Sequence, residues 1–398
     1  MKKNMKMKYL ILSALLIVAL TFTMVACGGG ASEEPAAEEP AATEEEPAAE
    51  PEATEPEPAA EAAVDNSALN IPVIAKGFQH QFWQVVKQGA EDAAAELGVG
   101  QMEFNGPGSE SEINVQVDMI NAALAQNPNA ICLAALDTDA VKGQLDEAVG
   151  KDIPIIGFDS GVPDAPEGSI KATASTDNEN AAALAAEEMM NDAAFKAAIE
   201  GATADNPVTV AVLSQDATST SIIGRTKGYL DKFKELVEAI FPGGVAITGH
   251  DMYAAPASDA AVVNVFVQVP PTPDAADMKN GAQAVLSEKN LVGVFLSNEG
   301  AVTGFLNATN DGADLGDGKT YADLIVAGFD AGATQKKAVR DGLFLGAVTQ
   351  DPYQIGYQAV ALAVAAANGE PVQDVDTGAK WYTSANMDDP DIAQLIYD

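Results

Sequence analysis

The sequence predicts an α/β protein built from two doubly wound parallel-sheet lobes. Three observations carry that prediction. From Asn70 onward, short apolar runs alternate with amphipathic stretches of helical period. The alternation continues for about 330 residues, too many for one sheet around one core. One strand–turn sequence also occurs twice: Ile153-Pro-Ile-Ile-Gly-Phe-Asp-Ser-Gly161 returns as Leu324-Ile-Val-Ala-Gly-Phe-Asp-Ala-Gly332.

Taken in order, strand candidates fall at 71–75, 130–136, 153–158, 208–213, 245–248, 262–269, 291–296, 324–329 and 343–349. Most are unbroken apolar runs, the texture of parallel strands covered on both faces. Helical stretches lie at 82–97, 112–126, 138–150, 177–190, 221–240, 275–286 and 353–367. In the first of these, Phe82, Val85, Val86, Gly89, Ala93 and Leu97 form one stripe. Strands alternating with helices of this length make βαβ units. The repeated Gly-Phe-Asp-x-Gly turn marks two similar lobes on this reading; chance recurrence of a common turn is the alternative.

The first residues have a different character. Lys2, Lys3, Lys6 and Lys8 precede an apolar run at 10–20, broken only by Ser13. That length fits the core of a signal peptide and is short for a membrane span. Met24-Val25-Ala26-Cys27-Gly28 resembles a bacterial lipobox, with Met24 where Leu is usual. Residues 1–26 then read as a lipoprotein signal peptide, with lipid on Cys27. An uncleaved anchor is the alternative, and both place the rest of the chain outside the cytoplasm. Residues 31–63 contain only Ala, Glu, Pro, Ser and Thr, with twelve Glu and six Pro. Such a segment has too little apolar surface to bury, so 27–66 reads as a lipid anchor and disordered acidic spacer.

The whole chain of 398 residues carries 21 Lys+Arg against 59 Asp+Glu, a net charge of −38. That balance repels phosphates and excludes nucleic acid as a partner. Cys27 and Cys132 are the only cysteines, so neither a disulfide framework nor a cysteine metal site is expected.

In open α/β sheets, ligands bind outside the carboxyl ends of the strands. The residues following the predicted strands include Asp137, Asp159, Asn298, Glu299, Asp330, Gln350 and Asp351. The first strand leads into Gly77-Phe-Gln-His-Gln-Phe-Trp83. Each Asp or Asn has an ordinary alternative as a turn or N-cap residue. Phe82 has an alternative in the core, and Arg225 one as a surface or structural residue. Together they place carboxylates, amides and two aromatics around one cleft. Carboxylates and amides pair with hydroxyls, and aromatic faces pack on the C–H face of a sugar ring. Arg225 is the single obvious cation nearby, which disfavours an anionic ligand.

Enzyme signals are weak. Gly316-Asp-Gly-Lys-Thr320 has Ala313 where a phosphate loop needs Gly, and a helical segment precedes it. Asp311, Asp314 and Asp317 lack EF-hand spacing. With His80 and His250 as the only histidines, catalytic zinc and Cys/His schemes are poorly supplied. No catalytic residue, metal or cofactor is expected.

From Asn70 on, the sequence resembles the ribose/galactose-type sugar-binding proteins of ABC importers. The segments that carry the resemblance are Phe82-Trp-x-x-Val-Lys-x-Gly-Ala90, Asp137-Thr-Asp-Ala-Val141, Ile153-Pro-Ile-Ile-Gly-Phe-Asp159, Arg225-Thr-Lys-Gly-Tyr229, Ser297-Asn-Glu-Gly300, Val326-Ala-Gly-Phe-Asp330 and Gln350-Asp-Pro-Tyr-Gln-Ile-Gly356. The resemblance implies a type I periplasmic-binding fold, with two lobes, three crossing segments and a hinge that closes on ligand. It puts ring-packing aromatics at Phe82 and Trp83. Hydroxyl partners fall at His80, Asp159, Arg225, Asn298, Asp330 and Gln350. Three departures leave the sugar unnamed: Ala134 for a frequent Asn, Ser160 for an Arg, and Val269-Pro-Pro-Thr-Pro273 in place of an aromatic.

The expected organisation is a first lobe of 67–174 plus 351–380 and a second of 175–350 plus 381–398. The expected function is capture of a monosaccharide or similar polyol by a monomer outside the cytoplasm. The protein is anchored to the membrane through Cys27 and hands its ligand to ABC permease subunits. A ligand-presenting sensor for a membrane receptor is the alternative. A sugar-responsive repressor would need a DNA-binding headpiece and a basic face, and a glycoside hydrolase is the remaining class.

Overall fold

The computed structural model describes residues 64–256 and 258–397. The predicted signal peptide, Cys27 and almost all of the acidic spacer lie outside them. Asn66, read above as the last spacer residue, is buried. Its Nδ2 donates to the Leu97 carbonyl at 2.8 Å, and its Oδ1 accepts from Asn368 Nδ2 at 3.0 Å.

The elements follow in chain order. The first half runs β1 (Asn70–Ile74), α1 (Gln81–Glu96), β2 (Gln101–Asn105), α2 (Ile113–Ala125), β3 (Ile131–Leu133), α3 (Lys142–Gly150), β4 (Ile155–Phe158) and β5 (Ile170–Ser175). The chain continues with α4 (Asn178–Asn191), α5 (Ala193–Glu200), β6 (Val208–Leu213), α6 (Thr220–Glu238), β7 (Val245–Gly249), β8 (Val263–Gln268), α7 (Ala275–Leu286), β9 (Leu291–Leu296) and α8 (Glu299–Ala308). It ends with β10 (Ile325–Phe329), α9 (Ala333–Arg340), β11 (Gly346–Gln350), α10 (Pro352–Ala367), β12 (Val375–Asp376), β13 (Ala379–Tyr382) and α11 (Pro390–Ala393).

Two sheets form, as the size of the chain and the repeated turn predict. The first has the order β12-β5-β4-β3-β1-β2 and is parallel throughout. The second has the order β13-β11-β10-β9-β6-β8-β7 and is parallel except for β13, which lies antiparallel to β11. The chain passes between the sheets three times: after β5, after β11 and after β12.

Alternation along the strands explains the unbroken apolar runs. In β6, Val210 and Val212 point into a core with α4, α5 and α6, whereas Ala211 and Leu213 point to the opposite face, where α7 and α8 pack. In β3, Cys132 joins the core under α1 and α10, and its neighbours Ile131 and Leu133 join the one under α2 and α3. Cys132 is a free, buried thiol.

Both copies of the repeated turn occupy the same place. Asp159 follows β4 and donates its N–H to the Ala174 carbonyl at the end of β5; Asp330 follows β10 and donates to the Val348 carbonyl in β11. Both have left-handed backbone, with φ of 53° and 76°. That conformation costs a non-glycine residue about 1 kcal/mol or more, and such residues concentrate at functional sites.

Candidate functional site

Each sheet has one point where the strand order reverses: between β1 and β3 in the first, and between β6 and β9 in the second. Ligand crevices form at such points, beyond the carboxyl ends of the strands. The candidate residues leave those ends, and the two halves meet around them in one buried polar cluster.

From the first half come Lys76, His80, Trp83, Glu110 and Asp159. Lys76 Nζ lies 3.5 Å from Asp159 Oδ2 and 4.0 Å from Glu110 Oε2. It donates across the halves to Ser221 Oγ at 3.2 Å. Glu110 Oε1 accepts from Trp83 Nε1 at 2.8 Å and lies 3.8 Å from His80 Nε2. Glu110 Oε2 accepts from Gln215 Nε2, of the second half, at 2.9 Å.

From the second half come Gln215, Arg225, Asn298, Glu299 and Asp330, with Gln350 at the crossing. Asp330 Oδ1 accepts from Gln350 Nε2 at 2.7 Å, and Oδ2 from the Glu299 N–H at 3.0 Å. Arg225 Nη1 lies 3.5 Å from Asp330 Oδ2, and the guanidinium stacks 3.9 Å from the Phe329 ring centroid. Arg225 also donates to Asn178 Oδ1 and to the Ser297 carbonyl, so it is neither exposed nor free to swing. Asn298 does two things: its Oδ1 caps α8 through the Ala301 N–H, and its Nδ2 reaches Gln215 Oε1 at 2.6 Å.

The eight residues expected from the sequence therefore fall in one region, with three qualifications. Asp137, among the wider set of strand-end residues, is an ordinary turn residue whose Oδ1 accepts from the N–H groups of Asp139 and Ala140. Phe82 and Trp83 both belong to the hydrophobic core, their rings 4.9 Å apart edge to face, and only Trp83 has a polar tip in the cluster. Arg225 is not the single cation, because Lys76 is buried opposite it. Lys76, Glu110 and Gln215 were missed. Lys76 and Gln215 stand just beyond the first strand of each sheet, where the strand-end rule points. Glu110 sits in a loop ahead of α2, and no sequence period marks it.

The charges are tuned by burial and by one another. Burial pushes the Asp159 carboxyl up; Lys76 and Arg225 pull it back, while Glu110 and Asp330 push it further, and the net shift is upward. Burial also pushes Glu110 up, but Lys76, His80 and the bonds from Trp83 and Gln215 outweigh it and hold Glu110 below the usual range. Burial would lower Lys76, yet Asp159, Glu110 and Asp216 together keep it above its ordinary value. Three buried atoms in the cluster have no hydrogen-bond partner in the chain: His80 Nε2, Asp159 Oδ2 and Gln350 Oε1. Asp159 Oδ2 keeps its ion pair with Lys76; a buried group without a hydrogen bond costs about 1–3 kcal/mol, so these atoms can take a hydrogen-bonding ligand.

A second set of contacts ties the halves together at one edge of the cluster. His80 is the N-cap residue of α1 but provides no side-chain cap. The Glu299 carboxylate, from the other half, accepts instead from the N–H groups of Gln81 and Phe82 at 3.3 and 3.4 Å. In return, Gln81 Oε1 accepts from the Ala333 N–H, at the start of α9, at 2.7 Å. A Cβ at Gly332 would come 2.8 Å from Glu299 Oε1 and 3.1 Å from Gln81 Oε1, so a side chain there would push both of these ends aside.

Residues 71–371 match the family model described as periplasmic binding protein domain. The chain belongs to that family. Solved structures agree. An ABC transporter protein from Brachyspira murdochii, described as a LacI family transcriptional regulator, is 41% identical; the match covers 84% of this chain and 100% of that one, with a TM-score of 0.69. A solute-binding protein from Agrobacterium vitis with bound D-fucose is 27% identical over 82% of this chain and 100% of its own, with a TM-score of 0.67. A carbohydrate transporter solute-binding protein from Agrobacterium radiobacter, in complex with D-arabinose, is 29% identical over 83% and 99%, with a TM-score of 0.66. No curated protein matches the chain. This periplasmic binding protein is thus a sugar-type solute-binding protein of the ABC transporters, as the sequence motifs imply. Its family works outside the cytoplasm. Among the described residues no helix is long and apolar enough to cross a membrane.

Proposed function

We propose that this protein captures a monosaccharide or similar polyol between its two halves by hinge closure and delivers it to an ABC permease. On this reading it acts as a monomer held to the outer face of the membrane by lipid on Cys27. It performs no chemistry on the ligand. The observation that carries the reading is the set of buried atoms without a hydrogen bond, contributed from both halves: Asp159 Oδ2, His80 Nε2 and Gln350 Oε1. Two of the three are pure acceptors, and a sugar's hydroxyl groups supply donors to such atoms. A ligand lacking one hydroxyl leaves its acceptor buried and unpaired, which is how such a site discriminates.

Closure is supported by the reciprocal capping of α1 and α9. Those bonds exist only when the halves are together, so they favour the form that encloses ligand. A charge argument supports a neutral ligand. Lys76 and Arg225 face Glu110, Asp159, Glu299 and Asp330, so carboxylates outnumber cations in the cluster.

The test is a thermal-shift and calorimetry screen of monosaccharides, polyols and sugar acids. Neutral sugars should raise the melting temperature in a concentration-dependent way, because they bind the folded state alone. A screen in which no sugar or polyol binds would remove the proposal.

A further inference from the structure

A cavity of about 410 Å³ lies beside the polar cluster, and Glu110 and Gln215 line it as well as the cluster. Those two hydrogen-bonded side chains thus border both the cluster and the cavity. The outer wall is the Val269-Pro-Pro-Thr-Pro273 run that follows β8. Three prolines have fixed φ and no N–H, so they present a rigid apolar face without unsatisfied donors. Thr272 pins the run, accepting from the Asp274 N–H and donating to Asp277 Oδ2 at 2.8 Å. Ile113 and Leu136, from the first half, extend the apolar lining. Polar groups enter from Asp216, Thr218 and His250, and no Lys or Arg lines the space.

We infer that this cavity is a second subsite, which accepts a neutral ring attached to the captured sugar, so that the protein takes glycosides or disaccharides as well as free monosaccharides. The inference rests on the sugar-binding reading above. Its volume equals that of about fourteen liquid waters, enough to hold one further sugar ring with room for solvent. Rigid proline faces suit the C–H side of such a ring, and Asp216, Thr218 and His250 suit its hydroxyls. Acidic residues without a cation reject a phosphate or carboxylate substituent.

The experiment compares free aldoses with their methyl and phenyl glycosides and with neutral disaccharides, by calorimetry on the full chain. Two variants that fill the cavity from two different loops, Ala217→Trp and Thr272→Trp, are measured beside it. The expected result is glycoside or disaccharide binding that at least one variant weakens by about tenfold or more while free-sugar affinity holds; retained free-sugar binding also certifies the fold. Binding of free sugars with no glycoside or disaccharide bound overturns the subsite and leaves the sugar-binding reading intact. Equal loss of both ligand types in both variants, or loss of neither, overturns it as well. If nothing carbohydrate binds the unaltered protein, the sugar-binding reading itself fails and the subsite falls with it.

Discussion

Replacing Glu299 with Ala should weaken ligand binding without unfolding either half. The carboxylate is the cap for the first turn of α1, and it comes from the opposite half. Without it, the Gln81 and Phe82 N–H groups lose their acceptor when the halves close, and solvate freely when they part. Losing a helix cap costs about 0.5–2 kcal/mol. Bonds of 3.3 and 3.4 Å sit at the long end of the useful range, which argues for the lower half of that span. Loss of a negative charge at a helix N-terminus adds about 0.3–1 kcal/mol. The closed form is therefore weakened by about 1–2 kcal/mol, and Kd rises by roughly five- to thirtyfold. Gln81→Ala removes the return bond to Ala333 and should act in the same direction by a smaller amount. Calorimetry with a bound monosaccharide gives the affinity, small-angle scattering gives closure, and urea unfolding gives stability. Unchanged affinity in both variants, or an affinity loss matched by an equal loss of unfolding free energy, would refute the capping argument.

Three other outcomes follow from the same cluster. Asp330→Ala removes the acceptor of Gln350 and of the Glu299 N–H and leaves Arg225 buried without its carboxylate; urea titration should show a loss of about 3–5 kcal/mol. Lys76→Met removes the cation that contacts both Asp159 and Glu110, and should destabilise by a similar amount, most at neutral pH and less as acid protonates the pair. Asp159 is held above the ordinary 3.8, so the folded protein keeps that proton after the unfolded chain has lost it. The native state then binds more protons between 3.8 and the raised value, and the Asp159 contribution to stability falls as pH rises through that window. Melting temperature against pH should show this slope in the unaltered protein and a flatter one in Asp159→Asn.

Strands buried on both faces were legible because they leave unbroken apolar runs; β4, β6, β9 and β10 were placed within a residue or two. Strands with one wet face were not. In β2, Gln-Met-Glu-Phe-Asn, Phe104 alone is buried, and β5, Ile-Lys-Ala-Thr-Ala-Ser, alternates polar with small residues. Helix α8 was not among the predicted helices: Asn298 and Glu299 read only as polar residues following β9, whereas they are its N-cap and first residue. The predicted helix at 138–150 begins only at Lys142, since Asp137 turns the chain first. Within the site, the strand-end rule located Asp159, Asn298, Asp330 and Gln350, whose strands are conspicuous. It missed the contribution of Glu110 because a loop carboxylate gains its position from tertiary packing, with no local pattern to announce it.

The route of the backbone has a consequence for anyone dividing the gene. Because β12 borders the first sheet and α10 covers β1 and β3, the front half is finished by residues near the end of the chain. A fragment stopping at Ser175 would expose the apolar side of Ile71, Val73 and Cys132 to water and invite aggregation. Nonsense mutations late in the reading frame should therefore cripple the front of the molecule as thoroughly as the back.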